Sequence, residues 1–347
     1  MNLVSNRLAF LVSVLKAREA RIVGYAALEE IFSRASSVAE AVDLLKGTDL
    51  GDFLASRGAD SFDLVDELLW EYLGGYFREI CSLRPHPPAV RIAWCYLEKY
   101  DTANIISALR AALGQGSASL VPVGTLSSLG LLEGLSRAQG PAEVTSLVTQ
   151  AGMIEYALPI RAMANVEPGT LQQVERRLES LYLKRLGQAL AGTDAGQVLT
   201  TAHGMLKDRD VLGDLVRRAA SGTMARVDLG GDFFGGYLLT PRLVRDLAAM
   251  KAPEIARRLV DTPYRSLGRD LAGLLEQHRE HEIDRLLDQH LLERLQGLLS
   301  PRPLSVTAVL WHLMLKENEI RGVRIALKSV QDRLPPAEVR EYLAEAV

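Results

Sequence analysis

Leu64-Val65-Asp66-Glu67-Leu68-Leu69-Trp70-Glu71-Tyr72 opens a long helical stretch whose pattern returns twice. The copies are Val174-Glu175-Arg176-Arg177-Leu178-Glu179-Ser180-Leu181-Tyr182 and Ile283-Asp284-Arg285-Leu286-Leu287-Asp288-Gln289-His290-Leu291. Each is followed by a second helical segment that opens on an acid and closes on a base. These run Asp101 to Arg110, Asp208 to Arg217 and Glu319 to Lys328. The acids lie 107 and then 111 residues apart. A glycine ahead of an apolar helix also recurs, at Gly24, Gly124 and Gly236, which precede the acids by 77, 84 and 83 residues. Self-similarity at a fixed period decides architecture before any single residue does. The reading is all-α, with three similar helical lobes around a pseudo-threefold axis, a shape that suits a collar or socket. The divisions fall at 1–116, 117–229 and 230–347, where Gly114–Ser119 and Ser221–Gly236 read as linkers.

Helical period supports this class throughout. Leu64, Leu68, Tyr72, Tyr76 and Ile80 recur every fourth residue, joined by Leu69, Leu73 and Phe77. Pro85, Pro87 and Pro88 end that helix and pre-set the first turn of the next. Val90, Ala93, Trp94 and Leu97 mark one face of a second helix, and Asp101 is a candidate N-cap for a third. The same punctuation returns at Ser300–Pro303, and Gly192-Thr193-Asp194 takes its place in the middle repeat. The apolar run Leu8–Leu15 reads as the first helix, and Pro336 starts a short last one.

The 347 residues are 48% hydrophobic, carry 24% charged residues and have a formal net charge of -3. That balance leaves no electrostatic footprint for nucleic acid. Nowhere do eighteen apolar residues run unbroken, so no direct membrane span is expected. Cys81 and Cys95 fit no metal motif and are expected as reduced thiols. The glycine cluster Gly230–Gly236 lacks a following Lys-Ser/Thr pair, and its Asp232 would repel a phosphate. His278 and His281 are three apart beside Glu282, but Arg285 breaks the zinc-protease spacing and the flanking charges read as a solvated face. No serine sits in a nucleophile elbow. The expectation is a chain with no catalytic residues, no cofactor and no metal.

The recurrent charges have two readings. Acids at helix starts and bases at helix ends complement the helix dipole. Alternatively, three copies of such helices line one cavity whose polar rim meets a partner.

The segments Tyr100-Asp101-Thr102-Ala103-Asn104-Ile105-Ile106-Ser107-Ala108-Leu109-Arg110 and Lys316-Glu317-Asn318-Glu319-Ile320-Arg321-Gly322-Val323-Arg324-Ile325 resemble the C subunit of the V/A-type rotary ATPases. Its equivalent in the eukaryotic V-ATPase is the d subunit. Leu120-Val121-Pro122-Val123-Gly124-Thr125-Leu126, Asp261-Thr262-Pro263-Tyr264 and Leu334-Pro335-Pro336-Ala337-Glu338-Val339 are similar to further segments of that family, and the likeness covers about residues 22–347. The resemblance implies a funnel-shaped, non-catalytic adaptor between the central rotor shaft and the membrane proteolipid ring, transmitting torque for ion transport. It implies a cytoplasmic protein, monomeric alone and peripheral to the membrane through its complex. Candidate shaft-socket contacts are Asp101, Asn104, Arg110, Asp208, Asp210, Arg217, Glu317, Glu319, Arg321 and Arg324. A generic α-helical repeat scaffold is the alternative, though familiar solenoid units are less than half as long. An all-helical enzyme is a further alternative.

Overall fold

The computed structural model describes residues 3–83, 86–162, 170–222, 236–302 and 304–343. Every regular element among them is helical. The first repeat runs through α1 (Leu3–Glu19), α2 (Tyr25–Arg34), α3 (Val38–Leu44), α4 (Asp49–Ser56), α5 (Phe62–Ser82) and α6 (Pro87–Ala112). The second holds α7 (Thr125–Ser128), α8 (Leu132–Arg137), α9 (Pro141–Gln150), α10 (Ile154–Arg161), α11 (Thr170–Ala191) and α12 (Gly196–Ala220). The third holds α13 (Pro241–Ala248), α14 (Ala252–Val260), α15 (Arg265–Glu276), α16 (Ile283–Leu299), α17 (Val306–Asp332) and α18 (Pro336–Arg340). Apart from the 17-residue α1, each repeat thus runs through short helices into two long ones. Pro85, Pro303 and Gly230–Gly235, with Asp232 and the boundary at 229/230, lie outside the described residues.

Local chemistry accounts for the short helices. Ser37 accepts from the Glu40 amide at the start of α3, while the Glu40 carboxylate reaches back to the Ser36 amide at 2.8 Å. Thr48 caps α4 by accepting from the Gly51 amide at 2.9 Å. Thr240 does the same for α13, with Pro241 next to it. The long helices form because they bury an apolar face. In α5, Val65, Leu69, Leu73 and Phe77 are almost wholly inaccessible.

One expectation is corrected here. Asp101, Asp208 and Glu319 are not N-caps, because each lies well inside one unbroken helix, α6, α12 or α17. Glu98-Lys99-Tyr100 contains no helix breaker, so the hydrogen bonding that begins at Pro87 runs through Asp101 to Ala112. His278 and His281 do not share a helix face either. His278 sits at φ 58, and His281 lies in a 3-10 turn.

The chain forms two compact units, and each gathers helices from more than one repeat. One contains residues 70–194 with the first helix to Leu11. Its core joins Ile105 and Leu109 of α6 to Leu126, Leu135, Val144, Tyr156, Ile160 and Leu178. The other contains residues 12–69 and the described parts of 195–229 and 234–347. There α17 packs on α2, α3 and α16, and α12 on α13, α14 and α16. Burial of such side chains is the main stabilising term, at about 1.5–3 kcal/mol for each large aliphatic or aromatic group.

Candidate functional site

The three recurrent acids are buried, and each grips the backbone at or just ahead of the start of a short helix, α7, α13 or α2. Asp101 is 0% exposed. Its carboxylate oxygens accept from the amides of Thr125 and Leu126, both at 2.8 Å. α7 has no local side-chain cap, so Asp101 supplies from α6 what its own N-terminus lacks. One turn along α6, Asn104 clasps Val121, donating to its carbonyl at 2.8 Å and accepting from its amide at 2.7 Å. Gly124 makes the approach possible. Its φ is 102, and a Cβ there would lie 2.5 Å from an Asp101 oxygen.

The second acid repeats this arrangement. Asp208 accepts from the amides of Leu238 at 2.7 Å and Leu239 at 3.1 Å, and from the Tyr264 hydroxyl at 2.9 Å. A Cβ on Gly236 would lie 1.8 Å from an Asp208 oxygen. In the third copy, Glu319 accepts from the Val23 amide at 2.8 Å, and its other oxygen pairs with Lys316 at 2.6 Å. The longer side chain reaches its turn without crowding Gly24, where a Cβ would meet nothing within 4 Å. The pairing is cyclic in sequence. The first acid holds the turn at Gly124, the second the turn at Gly236, and the third returns to Gly24.

Burial pushes the Asp101 carboxyl up to about 6, against the downward pull of the two amides it accepts from. Burial likewise raises Asp208 and Glu319. The folded chain therefore keeps the Asp101 proton after the unfolded chain, with its ordinary value of 3.8, has released it. The resulting stabilisation is complete below the unfolded value and is lost as pH rises through about 6. Asp101→Asn should flatten this dependence. In urea titrations, the change in stability between about pH 4 and about pH 7.5 should shrink by ~2 kcal/mol. An unchanged slope would remove Asp101 as its source.

Arginines of the same three helices form a second set of contacts. Arg110 makes two bonds to Glu175 of α11, at 2.7 and 3.0 Å. Arg217 meets Asp284 of α16, and Arg324 meets Asp66 of α5, with one bond at 3.1 Å. Arg110, Arg217 and Arg324 each end on the first long helix of another repeat, in the same cyclic order, whereas the third recurrent base, Lys328, pairs with Asp332 of its own helix at 3.0 Å. Between α12, α16 and α17, Arg209 and Arg321 share Asp288. Asp210 lies 3.5 Å from Arg209. The half-exposed pairs among these are worth about 0.2–1 kcal/mol each, whereas Arg209–Asp288 is largely buried.

The ten candidate contacts therefore divide. Asp101, Asn104, Asp208 and Glu319 are buried with polar atoms engaged inside the chain. Arg110, Asp210, Arg217, Arg321 and Arg324 reach the surface, and Glu317 is half-buried. Sequence reasoning missed Lys316, which is 0% exposed beside Glu319. Its only signal was a charge set directly after the apolar run Leu313-Met314-Leu315. It also missed the Glu98 cluster, where Arg185 donates at 2.7 and 2.9 Å and the Tyr156 hydroxyl at 3.0 Å. His281, Glu282 and Glu341 place ligand atoms within 4.8 Å of one another, but Arg279 and Arg285 already hold the Glu282 carboxylate.

Acids, glycines and bases that interlock in this way occupy the whole length of the chain. The likeness to known proteins is equally extended: the model of the ATP synthase (C/AC39) subunit family matches residues 11–342. The chain belongs to that family. Among curated relatives, the A-type ATP synthase C subunit of Thermococcus onnurineus is 25% identical, over 96% of this chain and 88% of its own length. The same subunit of Methanocaldococcus jannaschii is 23% identical over 96% and 86%, and that of Pyrococcus abyssi 22% over 95% and 88%. Among the described residues of this C/AC39 chain, no helix is long and apolar enough to cross a membrane.

Proposed function

We propose that this C/AC39-family chain is a non-catalytic adaptor in the central stalk of a rotary ATPase or ATP synthase. It joins the rotor shaft to the membrane proteolipid ring and transmits torque between them. The observation that carries this reading is the family match over residues 11–342. The buried clips support it physically. A torque-bearing part must be stiff, and close-packed helices locked by buried hydrogen bonds deform little. The cyclic pairing of acids with glycine turns supports three related lobes, divided at 1–116, 117–229 and 230–347, that together form the socket. The protein is peripheral, held at the cytoplasmic face by its complex, and monomeric alone.

Arg321 and Arg324 remain the chosen socket contacts, with Arg110, Asp210, Arg217 and Glu317. Both arginines already pair inside the chain, with Asp288 and Asp66. Neutralisation is therefore a cleaner probe than charge reversal, which would set like charges together. Arg321→Gln with Arg324→Gln should cost the free chain no more than about 1–2 kcal/mol. In the reconstituted complex, ATP hydrolysis by the head should persist while ion pumping falls at least several-fold. Normal pumping by a folded double variant would exclude this face as the socket. The role itself is tested by omission: without this chain, head and shaft should hydrolyse ATP without pumping. Full pumping in its absence would end the adaptor reading.

A further inference from the structure

The short helices of the third repeat carry a cluster of arginines that pair with no carboxylate among the described residues. α14 and α15 form a tight helical hairpin, in which Ile255 and Leu259 of one and Leu267 and Leu271 of the other are buried. Their backbones nearly touch where Gly268 meets Ala256, since a Cβ at Gly268 would lie 2.7 Å from the Ala256 carbonyl oxygen. Arg257 and Arg269 are the chain neighbours of that crossing point. Arg258 and Arg265 flank the turn that joins the two helices, and all four are exposed. Arg294 adds a fifth guanidinium, donating to the Pro263 carbonyl and lying 5.1 Å from the centre of the Tyr264 ring.

None of the five pairs with a carboxylate among the described residues. Arg257 and Arg265 each spend one N–H on a backbone carbonyl, at 3.3 and 3.1 Å. Four exposed acids share the hairpin, Glu254, Asp261, Asp270 and Glu276; Glu254 accepts from the Lys251 amide at 3.0 Å, Asp270 meets His290 at 2.9 Å, and none of the four forms an ion pair with these arginines. Arg265 also sits in the first turn of α15, where the helix dipole disfavours a cation. The equivalent helices of the first repeat behave differently. There Glu29, Glu30, Asp43 and Asp49 each meet an Arg or Lys of the same chain. Charge on these short helices is thus balanced internally in one repeat and left open in another.

We infer that the α14–α15 hairpin is a docking surface for a carboxylate-rich segment of a partner protein. Planar guanidiniums match carboxylates in two-bond geometry, and arginine is enriched where proteins meet. A membrane surface fits less well. No large apolar side chain is exposed between Arg242 and Leu299, and interfacial helices need such side chains to insert. The inference requires an assembly of several polypeptides but not the shaft-to-ring role.

Arg258→Lys with Arg265→Lys keeps the charge and supplies amines for zero-length carbodiimide coupling. The carbodiimide adds to a carboxylate to form an O-acylisourea, and a neighbouring amine displaces the urea to form an amide, so products form only where acids touch the hairpin. It is run on membranes bearing the tagged chain and read by peptide mass spectrometry. The expected products join the introduced amines to Asp or Glu of another polypeptide. Products confined to the same chain, to a second copy of it, or absent while native lysines react would each overturn the inference. Neutralising Arg257, Arg258, Arg265 and Arg269 to Gln should cut low-salt co-purification of the polypeptide that the lysine variant cross-links at least tenfold. In a separate arm, phosphatidylglycerol vesicles should sediment the wild type and the neutralised chain equally. Selective loss from vesicles would assign the patch to lipid and sink the protein-segment reading. Co-purification with the other ATPase polypeptides is scored separately, so failure of the adaptor reading is distinguishable.

Discussion

Gly124→Ala should destabilise the folded chain by ~3–5 kcal/mol, among the largest effects of any single methyl group in this protein. Two penalties coincide there. The backbone stands at φ 102 and ψ -169, a region that residues with a Cβ rarely enter. The added carbon would also lie 2.5 Å from a buried Asp101 oxygen that is itself fixed by two amides. Gly130→Ala separates the terms. Its φ is 69 with nothing within 4 Å of the added carbon, so only the strain of about 1–2 kcal/mol applies. Asp101→Ala alone leaves the Thr125 and Leu126 amides without an acceptor, at about 1–3 kcal/mol each. In the double variant the collision disappears, so its cost should fall short of the sum of the singles. Urea midpoints of the four chains measure this. Equal losses at Gly124 and Gly130, or strict additivity with Asp101, would show that the acid and the glycine do not act as a unit.

Much of this arrangement was visible as pattern, but its partners were not. The four-residue spacing through Leu68, Tyr72, Tyr76 and Ile80 is enough to specify a helix, and these residues are buried as that spacing requires. The recurrence of acid, base and glycine at matched intervals was equally open to reading. Sequence spacing does not say which glycine an acid meets. Gly24, Gly124 and Gly236 each precede an acid in their own repeat, yet each is gripped by the acid of another. An acid followed by good helix formers also looks alike at a helix start and in mid-helix. Burial is what distinguishes the two, and burial is set by tertiary packing. Here that packing brings the Asp101 carboxylate against an uncapped helix start. The bases posed a similar problem. Arg110 and Arg217 do lie in the last turns of their helices, where the dipole account is satisfied. Their larger role is to reach Glu175 and Asp284.

Removing one member of the Lys316–Glu319 pair should cost more than removing both. The two groups stand 2.6 Å apart with their side chains fully inaccessible. Glu319 also accepts from the Val23 amide, tying α17 to the chain just ahead of α2. Lys316→Met leaves the carboxylate buried without its counter-ion, a change that typically costs about 3–5 kcal/mol. Adding Glu319→Gln removes the stranded charge and keeps an oxygen for the Val23 amide. The double variant should therefore regain about 1–3 kcal/mol relative to Lys316→Met. The pH response follows from burial, which already raises Glu319, while Lys316 is among the groups that hold it down. Without the lysine, the folded chain keeps the Glu319 proton to still higher pH. The deficit of Lys316→Met should then shrink as pH falls and the carboxyl takes up its proton, and grow as pH rises. The double variant, with no carboxyl at 319, should lack that extra slope. Hydrogen exchange at Val23 reads the local consequence: protection should drop sharply in Lys316→Met and largely return in the double variant. If the single substitution is tolerated and Val23 stays protected, the pair does not anchor the start of α2, and the third clip in the cycle is held by the surrounding apolar packing alone.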